Sequence, residues 1–217
     1  MINTLLFDLD GTLLDTAPDL AHALNTLLTE QQQQTLPYEK IRPVVSYGGK
    51  GLIKLGFDLD ERSPRYASLR ARLLEIYESA MVVQTALFDG MEEVLQHLES
   101  RNMKWGIITN KPAWLTEPLL KQIDLYDRSA CVVSGDTLAE SKPHPAPLLH
   151  ATQLCQRRVD ECVYIGDAER DIQAGQRAGM MTVAARYGYI PTDEDIMTWK
   201  ADLIIDKPTD ILDWLKN

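Results

Sequence analysis

Six short apolar runs punctuate the chain: Thr4 to Phe7, Trp105 to Ile108, Ala130 to Val133, Cys162 to Ile165, Thr182 to Ala185 and Asp202 to Ile205. They are continuous rather than alternating. Runs of that kind suit strands buried on both faces, as in the middle of a parallel sheet. Between them the apolar positions change period. Met91, Val94, Leu95 and Leu98 recur at helical spacing. So do Leu148, Leu149 and Thr152, with Pro145 or Pro147 near the helix start. The alternation predicts βαβ units and a doubly wound α/β sheet.

The stretch from Thr16 to Thr85 breaks this rhythm and reads as helices only. Leu20, Leu24, Leu27 and Leu28 form one stripe, with Thr16 and Pro18 as start signals. Tyr66, Leu69, Leu73, Ile76 and Tyr77 form another. Between them "SYGGKG" (Ser46 to Gly51) reads as a flexible glycine-rich turn. The pattern predicts an α/β core over 1–15 and 86–217, with a helical insertion over 16–85. The Gln31–Gln34 run reads as a solvated helix end or loop.

Composition narrows the function classes. The 217 residues include 45% apolar and 25% charged side chains, as in a soluble globular protein. A net charge of -10 disfavours a nucleic-acid backbone or an anionic membrane as partner. It leaves room for a small anionic substrate where a cation or local basic groups sit in the site. Cys131, Cys155 and Cys162 are odd in number and form no CxxC, which points to buried, inert thiols in a reducing compartment. Acids at Asp8 and Asp10 interrupt any leader-like apolar region, and no apolar run nears the roughly 20 residues of a membrane span. The expectation is a cytoplasmic protein.

The chemistry lies at the ends of the apolar runs, where open α/β sheets bind ligands. After the first run come Asp8, Leu9, Asp10, Gly11 and Thr12. After the second come Thr109, Asn110 and Lys111. After the third come Ser134, Gly135 and Asp136, with Lys142 a few residues on. After the fourth come Gly166, Asp167 and then Asp171. Singly, an Asp after a strand is usually a turn residue or helix cap. Together they gather acids, a hydroxyl and a lysine on one sheet edge. Clustered carboxylates repel one another and call for a counter-ion, and their hard oxygens suit Mg²⁺.

These residues carry a resemblance. "DLDGT", Thr109, Lys142 and "GDAERD" resemble, in order, the four motifs of the haloacid dehalogenase superfamily of phosphatases. The resemblance covers the whole chain and implies a Rossmann-like core with residues 16–85 as a helical cap over the site. It further implies that Asp8 is the nucleophile forming an aspartyl-phosphate, and that Asp10 is the general acid and later the base for water. Residues two apart on a strand face the same side, so both acids can address one phosphorus. By the same resemblance Gly11, Thr109, Asn110 and Lys142 serve the phosphoryl group. Asp8, the Asp10 carbonyl and Asp167 hold Mg²⁺, with Asp171 behind them.

Asp10 argues against a true dehalogenase of the superfamily, which lacks the second acid, and against a P-type pump, which has Thr there. Within the superfamily the chain resembles the phosphoglycolate phosphatases. "FDGM", "WGIITNKP", "RYGYI" and "WKADLIID" resemble more narrowly the N-acetylmuramic acid 6-phosphate phosphatases of cell-wall recycling. A phosphosugar mutase of the same family is the enzymatic alternative. A receiver-type signalling module is the non-enzymatic one, disfavoured by the motif on the first run. Cap candidates for substrate contact are Arg42, Ser46, Gly48, Gly49 and Lys50, and Tyr187 or Tyr189 could line the site or pack.

Overall fold

The computed structural model describes residues 2–216. In chain order the elements are β1 (Thr4–Phe7), β2 (Leu14–Asp15), α1 (Ala17–Glu30), α2 (Tyr38–Ile41), a 3₁₀ segment (Arg42–Tyr47), α3 (Gly48–Phe57), α4 (Tyr66–Ser79) and β3 (Ala86–Leu87). There follow α5 (Met91–Ser100), β4 (Lys104–Ile108), α6 (Ala113–Gln122), β5 (Val132–Val133), α7 (Ala146–Leu154), β6 (Cys162–Gly166), α8 (Glu169–Ala178), β7 (Met181–Ala185), β8 (Leu203–Ile205) and α9 (Asp210–Trp214).

All six apolar runs contribute to one parallel sheet of order β5-β4-β1-β6-β7-β8. Its four inner strands, β4, β1, β6 and β7, are buried on both faces, and the edge strands β5 and β8 are partly buried. Leu5, Phe7, Trp105, Ile107, Val163 and Ile165 share an apolar cluster with Met91 and Val94 of α5, Leu115 of α6 and Ile211 of α9. The alternate positions Leu6, Ile108, Val133 and Tyr164 pack with Leu148 of α7 and Ala174 of α8. This two-sided burial explains why the runs show no polar alternation. β1 lies between β4 and β6, where the strand order switches direction, so the crevice at its carboxyl end is the expected ligand site. Phe7 stands beside Ile107 and Ile165, which brings the residues just past each strand to one edge.

Between β2 and β3 the described chain is helical. Leu20, Leu24, Leu27 and Leu28 of α1 meet Leu69, Leu73 and Tyr77 of α4, and their cluster continues into the first sheet face. Each fully buried leucine there contributes about 1.5–3 kcal/mol. β2 and β3 pair antiparallel where the chain leaves the sheet region and returns. The Asp19 carboxylate ties these connections together. It accepts the backbone N–H groups of Val83, Gln84 and Thr85 and the Thr85 hydroxyl, at 2.8–3.1 Å.

Two expectations need correction. "SYGGKG" is not a flexible turn, because Tyr47 ends the 3₁₀ segment and Gly48 opens α3. Gly51 is there for close packing: a Cβ would come within 2.5 Å of Tyr47 Cβ and 2.9 Å of the Val44 carbonyl. The α7 stripe runs through Leu148, Ala151 and Thr152, whereas Leu149 faces solvent. No helix among the described residues is long and apolar enough to cross a membrane.

Candidate active site

β1 ends at Phe7, and the chain turns at once. Gly11 takes φ +89°, and a Cβ there would overlap the Asp167 carboxylate and reach 2.8 Å from the Tyr189 ring. Only glycine fits, because the backbone lies directly on Asp167. The turn sends Asp8 and Asp10 to different partners.

Asp8 is buried. Its Oδ1 accepts from the Leu9 N–H at 2.7 Å and pairs with Lys142 Nζ at 2.9 Å. Lys142 Nζ also lies 2.8 Å from Asp171 Oδ1, 2.8 Å from the Ile108 carbonyl and 2.7 Å from the Tyr164 hydroxyl. Three ammonium protons are shared among four oxygens, so the side chain has one position. Asn110 fixes its backbone, donating from Nδ2 to the Lys142 carbonyl at 2.9 Å and accepting the Lys142 N–H at 3.1 Å. Thr109 is buried beside it, its hydroxyl accepting the Lys111 N–H.

Asp167 stands across from Asp8. Its Oδ1 accepts from the Thr12 hydroxyl at 3.1 Å, and its Oδ2 from the Ser46 hydroxyl and the Tyr189 N–H, each at 2.8 Å. Asp171, in the first turn of α8, accepts the Ala168 N–H. Carboxylate oxygens of Asp8, Asp167 and Asp171 lie within 4.8 Å of one another, all buried. Burial, only partly offset by Lys142, pushes the Asp8 carboxyl up to about 7. Burial and the nearby Asp171 raise Asp167 as well. Such crowded, desolvated carboxylates favour an added cation, and an all-oxygen donor set suits a hard divalent ion.

Asp10 has a different setting. Its Oδ1 accepts from Lys111 Nζ at 2.5 Å and from the Thr16 hydroxyl at 2.7 Å. Lys111 Nζ also donates to the Tyr77 hydroxyl at 3.1 Å. Burial alone would lower the Lys111 ammonium, but Asp10 and Tyr77 more than reverse this and hold it above its ordinary value. Thr16 stands just before α1 and does not cap it, because its hydroxyl is directed to Asp10.

The structure gathers Asp8, Asp10, Gly11, Thr109, Asn110, Lys142, Asp167 and Asp171 at one sheet edge, and among the insertion candidates it adds Ser46. Lys50 is exposed and pairs with Glu61 at 3.3 Å. Gly49 lies in α3 against Arg70. Arg42 donates to the Tyr187 and Gly188 carbonyls at 3.0 Å and sits over the Tyr189 ring, so it fastens the insertion to the loop that grips Asp167. Tyr187 and Tyr189 pack on Phe88. Sequence reasoning assigned no role to Lys111 or to Arg170, whose Nη2 reaches the Ser46 carbonyl at 2.8 Å and lies 4.0 Å from Asp8 Oδ2. Both adjoin recognised motif residues, which was the available signal.

The model of the haloacid dehalogenase-like hydrolases matches residues 5–185, which takes in every residue of this edge. The chain belongs to that family. It is 44% identical over 203 residues to a phosphoglycolate phosphatase of Xanthomonas campestris, covering 94% of this chain and 91% of that one. It is 37% identical over 210 residues to an N-acetylmuramic acid 6-phosphate phosphatase of Pseudomonas putida, covering 97% and 94%. Among solved structures, one from Haemophilus somnus, described as a predicted phosphoglycolate phosphatase, superposes with a TM-score of 0.85 at 25% identity, covering 99% and 98%. The family fold therefore extends over nearly the whole chain.

Proposed function

We propose that this family member is a Mg²⁺-dependent phosphomonoester hydrolase working through an aspartyl-phosphate on Asp8, with residues 16–85 as a cap over the site. One observation carries the reading. Asp8, at the end of the central strand, is paired to Lys142 at 2.9 Å within a buried group of three carboxylates. Lys142 and the Leu9 N–H occupy its Oδ1, so Oδ2 is the oxygen left to attack phosphorus. As the Oδ2–P bond forms, the bond from phosphorus to the ester oxygen breaks, and Asp10 gives that oxygen its proton. In the second half Asp10 takes a proton from water, the water oxygen bonds to phosphorus, and the P–Oδ2 bond breaks to free phosphate and Asp8.

The remaining residues position and neutralise. Thr109 and the Gly11 turn hold phosphoryl oxygens, and Lys142 offsets the charge of nucleophile and transferring group. Asn110 acts through the Lys142 backbone that it clamps. Asp8, the Asp10 carbonyl and Asp167 would hold Mg²⁺ with Asp171 beside them, and the bound ion would supply the charge that lets an anionic nucleophile meet an anionic ester.

The names of the full-length relatives support a small phosphorylated metabolite, with N-acetylmuramic acid 6-phosphate as first choice, which would make this a cytoplasmic enzyme of cell-wall recycling. Phosphoglycolate is the second reading, favoured by the 44% identity to the Xanthomonas enzyme. Phosphate release from both esters, with Mg²⁺ and with EDTA, tests the proposal. We expect EDTA to stop turnover, Mg²⁺ to restore it, and kcat/KM to favour the muramic ester by about 10-fold or more, the discrimination that pocket contacts worth about 1–3 kcal/mol supply. The opposite preference selects phosphoglycolate. Turnover indifferent to chelation contradicts the metal, and failure on both esters contradicts the substrate class.

A further inference from the structure

We infer that Lys111 is a positioning residue for Asp10, fixing the carboxylate so that one chosen oxygen faces the leaving group, and that it ties this orientation to the seating of the helical insertion through Tyr77. The inference rests on the reading of Asp10 as general acid and base, and extends it to a residue outside the four motifs.

The geometry is specific. Lys111 follows Asn110 on the loop after β4, and its side chain is 7% exposed. Its ammonium and the Thr16 hydroxyl both bond Asp10 Oδ1, at 2.5 and 2.7 Å. A carboxylate oxygen has two lone pairs in the carboxylate plane, so two donors on one oxygen fix that plane. No hydrogen bond from a described residue falls on Oδ2. That oxygen is left to hand a proton to the departing ester oxygen and later to take one from water. Stability is a poor account of the pair, because desolvating two charges offsets most of their attraction.

The remaining contacts explain the link to the insertion. Tyr77, on α4, is 1% exposed. Its hydroxyl accepts from Lys111 at 3.1 Å, and its ring centroid lies 4.8 Å from the ammonium. Thr16 immediately precedes α1. Both groups that hold the Asp10–Lys111 pair, the Thr16 and Tyr77 hydroxyls, thus belong to residues 16–85, while the pair itself lies in the sheet region. Shifting the insertion against the sheet would disturb the acid before it touched Asp8 or Lys142, whose partners Asp171, Tyr164 and Ile108 all lie in the sheet region.

The test compares leaving groups. Lys111→Met, Lys111→Arg, Tyr77→Phe and Asp10→Asn are measured on 2-phosphoglycolate, an alkyl ester that needs protonation to leave. They are also measured on p-nitrophenyl phosphate by single-turnover nitrophenolate release, which does not. Lys111→Met is expected to slow the alkyl ester about 10- to 100-fold and nitrophenolate release less than about threefold, the signature of a misplaced proton donor. Lys111→Arg should recover part of the loss, and Tyr77→Phe should give the same signature at smaller amplitude. Equal loss on both esters, or no loss, for Lys111→Met overturns the inference while Asp10→Asn still shows the split. If Asp10→Asn itself slows both equally, the reading of Asp10 fails instead. Should Lys111→Met not fold, Lys111→Arg and Tyr77→Phe decide: a leaving-group split supports the role, and its absence from both overturns it.

Discussion

Two lysine–carboxylate pairs in this chain use the same chemistry in opposite settings. Lys142 and Asp8 are 1% and 4% exposed and lie 2.9 Å apart. Lys50 and Glu61 are 65% and 62% exposed and lie 3.3 Å apart. The distances barely differ, but the surroundings do. Lys142 has three further oxygens around its ammonium and a clamped backbone, so its charge is held in a low-dielectric place. The Lys50 pair faces water, where screening and side-chain entropy leave roughly 0–1 kcal/mol of net attraction. A charge becomes chemically useful when its environment cannot relax around the reacting group, and only the first pair meets that condition.

The comparison is most easily broken at Asp8. Asp8→Asn should lower turnover about 10⁴-fold or more while the protein stays folded, because the shape is kept and the proposed nucleophile is lost. Near-normal kcat with a confirmed substitution would remove Asp8 from the reaction.

A mid-sized effect concerns pH. In the metal-free protein the Asp8 carboxyl is pushed from 3.8 to about 7, so between those values the folded state binds the proton more tightly than the unfolded chain. Stability should then fall as pH rises through that window, with the full penalty present above about 7. At 1.36 kcal/mol per pH unit the ceiling is roughly 4 kcal/mol. Urea unfolding of EDTA-treated protein at pH 5 and pH 8 measures it. Asp8→Asn should flatten the difference, and Mg²⁺ at pH 8 should recover stability by binding the folded state. A wild-type curve that is flat or rises over this range would show that burial is not straining Asp8.

The smallest effect sharpens the contrast from the other side. Lys50→Ala should change stability by less than about 1 kcal/mol and kcat/KM by less than about twofold on either ester. A larger KM rise confined to carboxylated substrates would return Lys50 to the site and set the exposed pair on equal terms with the buried one.

What could be read in the sequence follows the range of the interactions. The strands were legible because a strand buried on both faces, as the inner four are, writes itself as a local apolar run. Asp8, Asp10, Asp167 and Lys142 were legible because each follows such a run or the loop beyond it. Lys111 follows such a run too, but its partners do not show: its carboxylate is 101 residues away and its tyrosine 34. Arg170 reaches a carbonyl 124 residues away. The glycines from 48 to 51 suggested looseness, because composition alone cannot separate a mobile glycine from one pressed against Tyr47. Arg42 reads locally as a candidate for substrate contact, but its fork meets the backbone carbonyls at 187 and 188.

Asp19 has a mechanical consequence. The insertion joins the rest of the molecule by two strands of chain, and two separate connectors could stretch, twist or fray independently. A single carboxylate at the start of α1 gathers three N–H groups and a hydroxyl from the returning chain, so the connectors are laced together. Parting them would leave a buried carboxylate and three backbone N–H groups without partners, so the two connectors act as one joint rather than as two independent threads.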